Sequence, residues 1–380
     1  MVHSVYIHIP FCTNKCFYCD FNSYVTRDEK LVWDYLYALR KEMNITVNQS
    51  PPSEIKTIFV GGGTPSILNP EQMEFFLLSV QEFFPRVQSA EYTIEANPGT
   101  LTKEKLTVMK KGGVNRLSLG VQSFQNVLLK ELGRIHDRDQ VFESIRLARQ
   151  LGFENLSIDL MFGLPNQTMS QWIETLEIAF SLNLAHYSAY SLKVEPNTRY
   201  HVLYERGELP LPPEDEEVNM YITLIERMNH CGYHQYEISN FAKPGFECKH
   251  NLTYWQNEEY YGIGAGAHGY MNGQRHVNVG PVSEYIHQVN RDVLPRIETF
   301  SVSKREAMEE TMFMGLRMLK GVSSEDFRKK HDIEMEKVFD RQIKKLITEG
   351  LLEKNEERVW LTKKGVLFGN EVFAHFIEKS

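Results

Sequence analysis

Along the first half of the chain the apolar positions fall into two alternating patterns, short β-branched runs and longer stripes at helical spacing. Tyr6-Ile7-His8-Ile9 reads as a short strand, and residues 29–46 carry Leu31, Val32, Tyr35, Leu36, Leu39 and Met43 on one helical face. Residues 56–60 form a β-branched run that ends in Gly61-Gly62-Gly63-Thr64-Pro65, and a helix is predicted over 70–84. The unit recurs with a strand at 90–95, then Asn97-Pro98-Gly99 and a helix from Thr102. Another strand at 116–119 is closed by Gly120-Val121-Gln122-Ser123-Phe124. Residues 156–160 and 187–190 supply the fifth and sixth strands, with helices between. Such repeats predict parallel strands with helical crossovers, an α/β fold that closes or partly closes into a (β/α)6 TIM-like barrel. In barrels of this kind the chemistry sits at the carboxyl ends of the strands.

From about Ser301 the pattern changes. Residues 307–319 and 333–347 look helical, 351–354 and 359–362 flank a polar turn like a hairpin, and a last helix is predicted near Gly365. Helices followed by a small wing predict a C-terminal helical, winged-helix-like domain. The expected division is 1–235 for the barrel, 236–300 for a connecting segment and 301–380 for the C-terminal domain.

Composition narrows the class. The 380 residues are 42% hydrophobic and 24% charged, with a formal net charge of −8. That balance argues against a nucleic acid as partner of the whole molecule, because such binding rests on phosphate neutralisation. Residues 301–380 hold 16 Lys and Arg against 15 Asp and Glu, so the winged-helix-like part has no strong basic bias either. Neither a signal peptide nor a run long enough for a transmembrane segment is expected, and the cytoplasm is the expected compartment.

Cys12, Cys16 and Cys19 follow the first strand with the spacing C-x3-C-x2-C. Three thiolates so placed can converge on one inorganic core and suit three irons of a cubane [4Fe-4S] cluster. The fourth iron then lacks a protein thiolate and can chelate an amine and a carboxylate together, the pair presented by the methionyl end of S-adenosyl-L-methionine. A zinc site usually adds a second ligand pair, and the next cysteine is Cys231. The odd cysteine count argues against a disulfide.

Further polar and glycine-rich positions lie at or near predicted strand ends. The glycine triplet lets a ligand approach the backbone. Glu95 can accept hydrogen bonds from ribose hydroxyls, Gln122 and Arg134 can donate, and Arg134 can pair with a carboxylate. Asp159, inside an apolar strand, needs a partner or a ligand. Singly, the glycines mark a tight turn and each polar residue a structural contact; together they predict one cavity. Gly262-Ile263-Gly264-Ala265-Gly266-Ala267-His268-Gly269 lacks the strand and helix context of a dinucleotide fingerprint and reads as tight turns.

The cysteine spacing resembles the radical SAM superfamily, and the glycine triplet is similar to that superfamily's GGE-type loop. With Tyr6-Ile7-His8-Ile9-Pro10-Phe11-Cys12, Gly120-Val121-Gln122-Ser123-Phe124 and Ile158-Asp159-Leu160-Met161-Phe162-Gly163-Leu164-Pro165, the chain resembles the oxygen-independent coproporphyrinogen III oxidase group over nearly its whole length. The resemblance implies that Cys12, Cys16 and Cys19 hold the cluster. It implies that Tyr6, Tyr18, Gly62, Gly63, Thr64, Glu95, Gln122, Arg134 and Asp159 line S-adenosyl-L-methionine. Two departures stand out: the true dehydrogenases have a further cysteine where this chain has Phe21, and a long amino-terminal extension where this chain begins five residues before Tyr6.

His250-Asn251-Leu252-Thr253-Tyr254-Trp255 reads H-N-x-x-Y-W and resembles the HemW-type heme chaperones. That resemblance implies heme as a ligand, a heme-acceptor protein, a reductant such as flavodoxin or ferredoxin, and leaves a homodimer open. His250 is the candidate axial ligand, since imidazole commonly holds heme iron and aromatic rings pack on a porphyrin. A satisfied structural histidine fits the same pattern, and Cys231 and Cys248 are rival ligands or small buried hydrophobes. The expected function is a heme chaperone; the alternative is an oxygen-independent coproporphyrinogen III oxidase.

Overall fold

The computed structural model describes residues 2–378. Six strands, β1 (Ser4–Ile9), β2 (Ile55–Gly62), β3 (Arg86–Ala96), β4 (Arg116–Gln122), β5 (Asn155–Phe162) and β6 (His186–Ser191), pair in sequence order and all in parallel. Helices α1 (Glu29–Gln49), α2 (Pro70–Phe83), α3 (Lys103–Lys111), α4 (Arg138–Gln150) and α5 (Met169–Ser181) make the crossovers. Each begins at a side-chain cap, namely Asp28, Asn69, Thr102, Asp137 and Thr168. A cap of this kind is worth about 1 kcal/mol and starts the helix soon after the strand-end loop.

Strand alternation divides the side chains into two sets. Val5, Ile7, Ile58, Val60, Ile94, Leu117, Leu119, Ile158 and Leu160 are buried in the main core with the helices. The opposite face carries Ser4, Tyr6, Thr57, Glu91, Glu95, Arg116, Ser118, Asp159, His186 and Ser188, kept in register across the sheet. The lumen is therefore polar, and every buried group in it needs a partner.

The barrel does not close. After helix α6 (Glu214–His230), strands β7 (His234–Glu237) and β8 (Asn240–Ala242) form a hairpin antiparallel to β6; helix α7 (Lys249–Trp255) follows, and β9 (Tyr261–Ile263) joins β1 in parallel. The sheet has nine strands in the order β9-β1-β2-β3-β4-β5-β6-β8-β7. This corrects the expectation that residues 236–300 merely connect two domains: they extend the sheet at one edge and complete it at the other. The turn after β9 packs against β1, where a Cβ on Gly264 would stand 2.6 Å from the His8 carbonyl oxygen. The glycines there are structural.

The C-terminal part has its own core, which includes Met312, Leu316, Phe327, Phe339, Ile343, Val359 and Val372. Its first helix, Lys304–Gly315, ends four residues before the predicted limit, since the chain turns there and Met318 bridges to Glu237 of β7. The helix Ser324–His331 was not predicted. Only Phe327 and His331 are buried in it, too few positions to leave an apolar stripe. The wing strands Leu352–Lys354 and Arg358–Leu361 pair as expected, with Val322–Ser323 as a third strand. No helix among the described residues is long and apolar enough to cross a membrane.

Candidate functional site

The loop after β1 folds back on itself through a two-residue pairing of Phe11–Cys12 with Tyr24–Val25. It holds Cys12, Cys16 and Cys19 as free, half-buried thiols over the carboxyl ends of the strands. Burial, then the charge of the neighbouring thiols, raises the Cys12 pKa and pushes that of Cys19 up to about 11, against partial relief from hydrogen bonds. Binding iron there would release those protons. Among the described residues no three His, Cys, Asp or Glu side chains are gathered as they would be around one metal ion.

Eleven of the twelve residues expected at the cluster and S-adenosyl-L-methionine line one cavity of about 130 Å³. They are the three cysteines with Tyr18, Gly62, Gly63, Thr64, Glu95, Gln122, Arg134 and Asp159. Tyr6 lies outside the lining, with its hydroxyl 2.9 Å from His8 Nδ1 and its ring stacked on Phe59.

The glycines are required by close packing within the chain. A Cβ on Gly61 would meet Glu95 Oε2 at 2.6 Å, one on Gly62 would meet the His8 ring at 2.2 Å, and one on Gly63 would meet the Phe11 carbonyl oxygen at 2.6 Å. Gly63 and Thr64 donate their amides to the carbonyls of Ile9 and Phe11, so the triplet also props up the cysteine loop. Gln122 has φ of 68° at a bulge, a conformation that costs an ordinary residue about 1 kcal/mol or more. Strand β4 thus runs through the segment that the sequence assigned to a closing loop.

Arg134 donates to Cys16 Sγ at 3.4 Å, Asn97 Oδ1 at 2.6 Å and the Gly120 carbonyl at 2.5 Å. Its Nε is buried with no hydrogen-bond partner among the described residues, an orphaned donor in the cavity wall. Asn97 also donates to Thr64 Oγ1 at 3.0 Å and joins the glycine loop to Arg134. It was missed as a site residue, although the Asn97-Pro98-Gly99 turn at a strand end was visible. Glu95 accepts the Gly62 amide at 3.2 Å; burial and then the Asp159 charge push its pKa up to about 8. Asp159 accepts from Ser118 at 3.2 Å, and burial raises its pKa against the pull of its hydroxyl partners and Arg116. Two carboxylates, an unpartnered guanidinium nitrogen and an amide side chain suit a ligand rich in hydroxyls with a carboxylate and an amine. The donor set fits the cofactor pair that the cysteines imply.

Residues 6–179 match the radical SAM superfamily, and residues 302–368 match the HemN C-terminal domain family. The heme chaperone HemW of Bacillus subtilis (strain 168) is 47% identical over 375 residues, spanning 98% of this chain and 99% of that protein. The chain belongs to the HemW heme chaperone family. Another HemW, from Lactococcus lactis subsp. lactis (strain IL1403), is 42% identical over 99% of this chain and 97% of its own length. Among solved structures, the Escherichia coli coproporphyrinogen III oxidase HemN, described as a radical SAM enzyme, superposes with a TM-score of 0.86. It covers 98% of this chain and 89% of its own at 24% identity, a likeness of fold alone.

In this HemW family member the H-N-x-x-Y-W motif does not present a free imidazole. His250 is buried, its Nδ1 lies 2.9 Å from Thr57 Oγ1 and its Nε2 lies 2.9 Å from the Tyr254 hydroxyl. Burial, with Arg116 nearby, pushes its pKa down to about 3, so the ring is neutral and both nitrogens are engaged. Of the two readings the sequence leaves open for His250, axial ligand or satisfied structural histidine, this geometry favours the second. Glu91 accepts the amides of Lys249 and His250, each at 3.1 Å, and the Cys248 thiol at 3.4 Å. At the other end of α7, Lys330 donates to the carbonyls of Gln256 at 3.0 Å and Asn257 at 2.6 Å. The motif is a plug that seals the amino end of the lumen; Cys248 is buried inside it and Cys231 is exposed elsewhere.

Proposed function

We propose that this protein binds a [4Fe-4S] cluster and S-adenosyl-L-methionine at the carboxyl end of its sheet, binds heme, and transfers that heme to an acceptor protein. The observation that carries the cofactor part is the convergence of the three half-buried thiols, the glycine loop, the Glu95 and Asp159 carboxylates and the orphaned Arg134 Nε on one cavity. When bound, the cluster supplies one iron without a protein thiolate, open to the methionyl amine and carboxylate. Cys12, Cys16 and Cys19 would hold it. Arg134 balances the negative charge of thiolate at Cys16, Glu95 accepts ribose hydroxyls, and Gln122 and Arg134 donate to the ligand. The heme part is supported by the names of the relatives, at up to 47% identity over nearly the full chain.

The test is one anaerobically reconstituted sample assayed three ways: heme uptake by the Soret band, heme transfer to a heme-free acceptor, and turnover of coproporphyrinogen III with reductant. Saturable uptake of about one heme per chain, followed by transfer and no turnover, is expected. Formation of protoporphyrinogen without heme uptake would replace this function with oxidative decarboxylation. Phe21, exposed on the lining of the cluster cavity, is the position where the decarboxylating group has a cysteine.

A further inference from the structure

The amino end of the sheet carries a second cavity, of about 770 Å³, between the start of β1, the end of α7 and the C-terminal domain. That volume lies within the roughly 300 to 1,000 Å³ of small-molecule and cofactor clefts. In a lining that is otherwise mostly polar and charged, half-buried Trp255 supplies the aromatic face, backed by the buried side chains of Tyr270, Met318 and Phe327. Trp255 carries the Arg317 guanidinium 4.5 Å over its ring, and its Nε1 is buried with no partner among the described residues. So the last residue of the H-N-x-x-Y-W motif, rather than the first, faces a space large enough for a ligand.

Charge is arranged around that wall. Lys56, Lys320 and Arg358 line the cavity, and no ion pair involves them among the described residues. Lys329 is paired with Glu325, and Lys330 is spent on the α7 carbonyls. Glu258, Glu259 and Asp326 also line the space; Glu259 accepts the Gly273 amide. Three unpaired cations beside an aromatic wall suit a flat apolar ligand with carboxylates on one edge.

His3 supplies what a metal at the centre of such a ligand needs. Its ring lines the cavity, and its Nδ1 lies 2.9 Å from the Glu54 carbonyl oxygen and 3.1 Å from Ser53 Oγ. A carbonyl can only accept, so in the neutral ring Nδ1 holds the proton and Nε2 keeps its lone pair. A carbonyl bonded to one nitrogen fixes the ring and leaves the other as metal ligand.

We propose that this cavity is the heme seat, with His3 as axial ligand, the porphyrin against Trp255, and the propionates toward Lys320 and Arg358. It rests on the heme-binding function proposed above and gives that function a location. His3 precedes β1 and the cysteines follow it, and a six-residue strand spans roughly 20 Å, so cargo and cluster sit at opposite ends of the sheet. The C-terminal domain forms one wall and so takes part in holding the cargo.

The test is a heme titration of the full chain, followed by the Soret band, for the wild type, His3→Ala, the double variant Lys320→Glu with Arg358→Glu, and His250→Ala. His3→Ala should weaken binding by about tenfold or more and shift the band, and free imidazole should restore its position. The rim variant should weaken binding by about tenfold without moving the band. His250→Ala should leave the band where it is. Lys320 is exposed and Arg358 half-buried, and circular dichroism checks that the variant keeps its fold. Wild-type binding with both the His3 and the rim variants within about twofold of it would overturn the seat and leave heme binding standing. No uptake by the wild type would overturn both.

Discussion

The two ends of one polar lumen are finished in different ways. At the amino end the chain satisfies most of its own buried groups, with Arg116 Nε and Trp255 Nε1 among the exceptions in the described residues: Glu91 caps α7, His250 joins Thr57 to Tyr254, His186 joins Ser157 at 2.7 Å to Tyr236 at 2.8 Å, and Ser4 meets Thr253 at 3.1 Å. At the carboxyl end a loop of thiols arches over the lumen, and Arg134 Nε is left without a partner among the described residues. A buried polar residue on a strand therefore points to a ligand only where the chain has not supplied the partner itself. His250, with both nitrogens engaged, and Arg134, with Nε left over, fall on opposite sides of that division.

The strongest way to break the comparison is to remove a thiol. Cys16→Ser is expected to abolish iron and sulfide retention after anaerobic reconstitution, measured by metal and sulfide analysis, because three thiolates are the minimum that holds three irons. Heme affinity should change by less than about twofold, since the seat lies at the other end of the sheet. Parallel loss of heme and iron would mean that the two ends are one site.

The next largest effect is on stability. His250→Ala removes the partner of two hydroxyls, Thr57 and Tyr254, and the ring that stacks on Phe59 with centroids 5.3 Å apart. Two unsatisfied groups and a cavity should cost about 2 to 4 kcal/mol, read from urea denaturation. An unchanged midpoint together with a lost Soret band would reverse the assignment and make His250 a ligand after all.

That reversal is instructive about what the chain discloses. The six strands stood out because stretches such as Thr57-Ile58-Phe59-Val60 are β-branched and apolar and 156–160 alternate Leu156, Ile158 and Leu160 with polar positions, and the site at their carboxyl ends was legible because its chemistry is local. Three cysteines fall within eight residues, and Gly61 to Thr64 are adjacent. The state of His250 was not legible, because its partners are 193 residues upstream and on its own helix, and spacing cannot say whether an imidazole is already satisfied. The larger cavity was hidden for the same reason. His3, Trp255, Lys320 and Arg358 share no motif and meet only because β7 bridges to Met318 and Lys330 ties α7 to the C-terminal domain. Strand β4 was cut short since Gly120 and Gln122 look like a turn; the bulge lets the strand continue through them.

The finest distinction concerns the carboxyl end alone. Glu95 has a pKa pushed up to about 8 from an ordinary value of 4.5. Between those two values the folded chain keeps a proton that the unfolded chain has lost, so stability falls as pH rises across the window. Below about 4.5 both states are protonated and above about 8 both are ionised, so the dependence flattens outside it. Glu42 acts in the same direction, its carboxyl pushed up to about 7 by burial, and it is present in any variant of Glu95. Glu95→Gln should therefore reduce the slope without removing it, as measured by denaturant midpoints at the two ends of the window with no S-adenosyl-L-methionine present. Equal slopes in the two proteins would mean that Glu95 titrates like an open surface carboxyl, and the contrast between a ligand-facing end and a self-satisfied end would lose its electrostatic support.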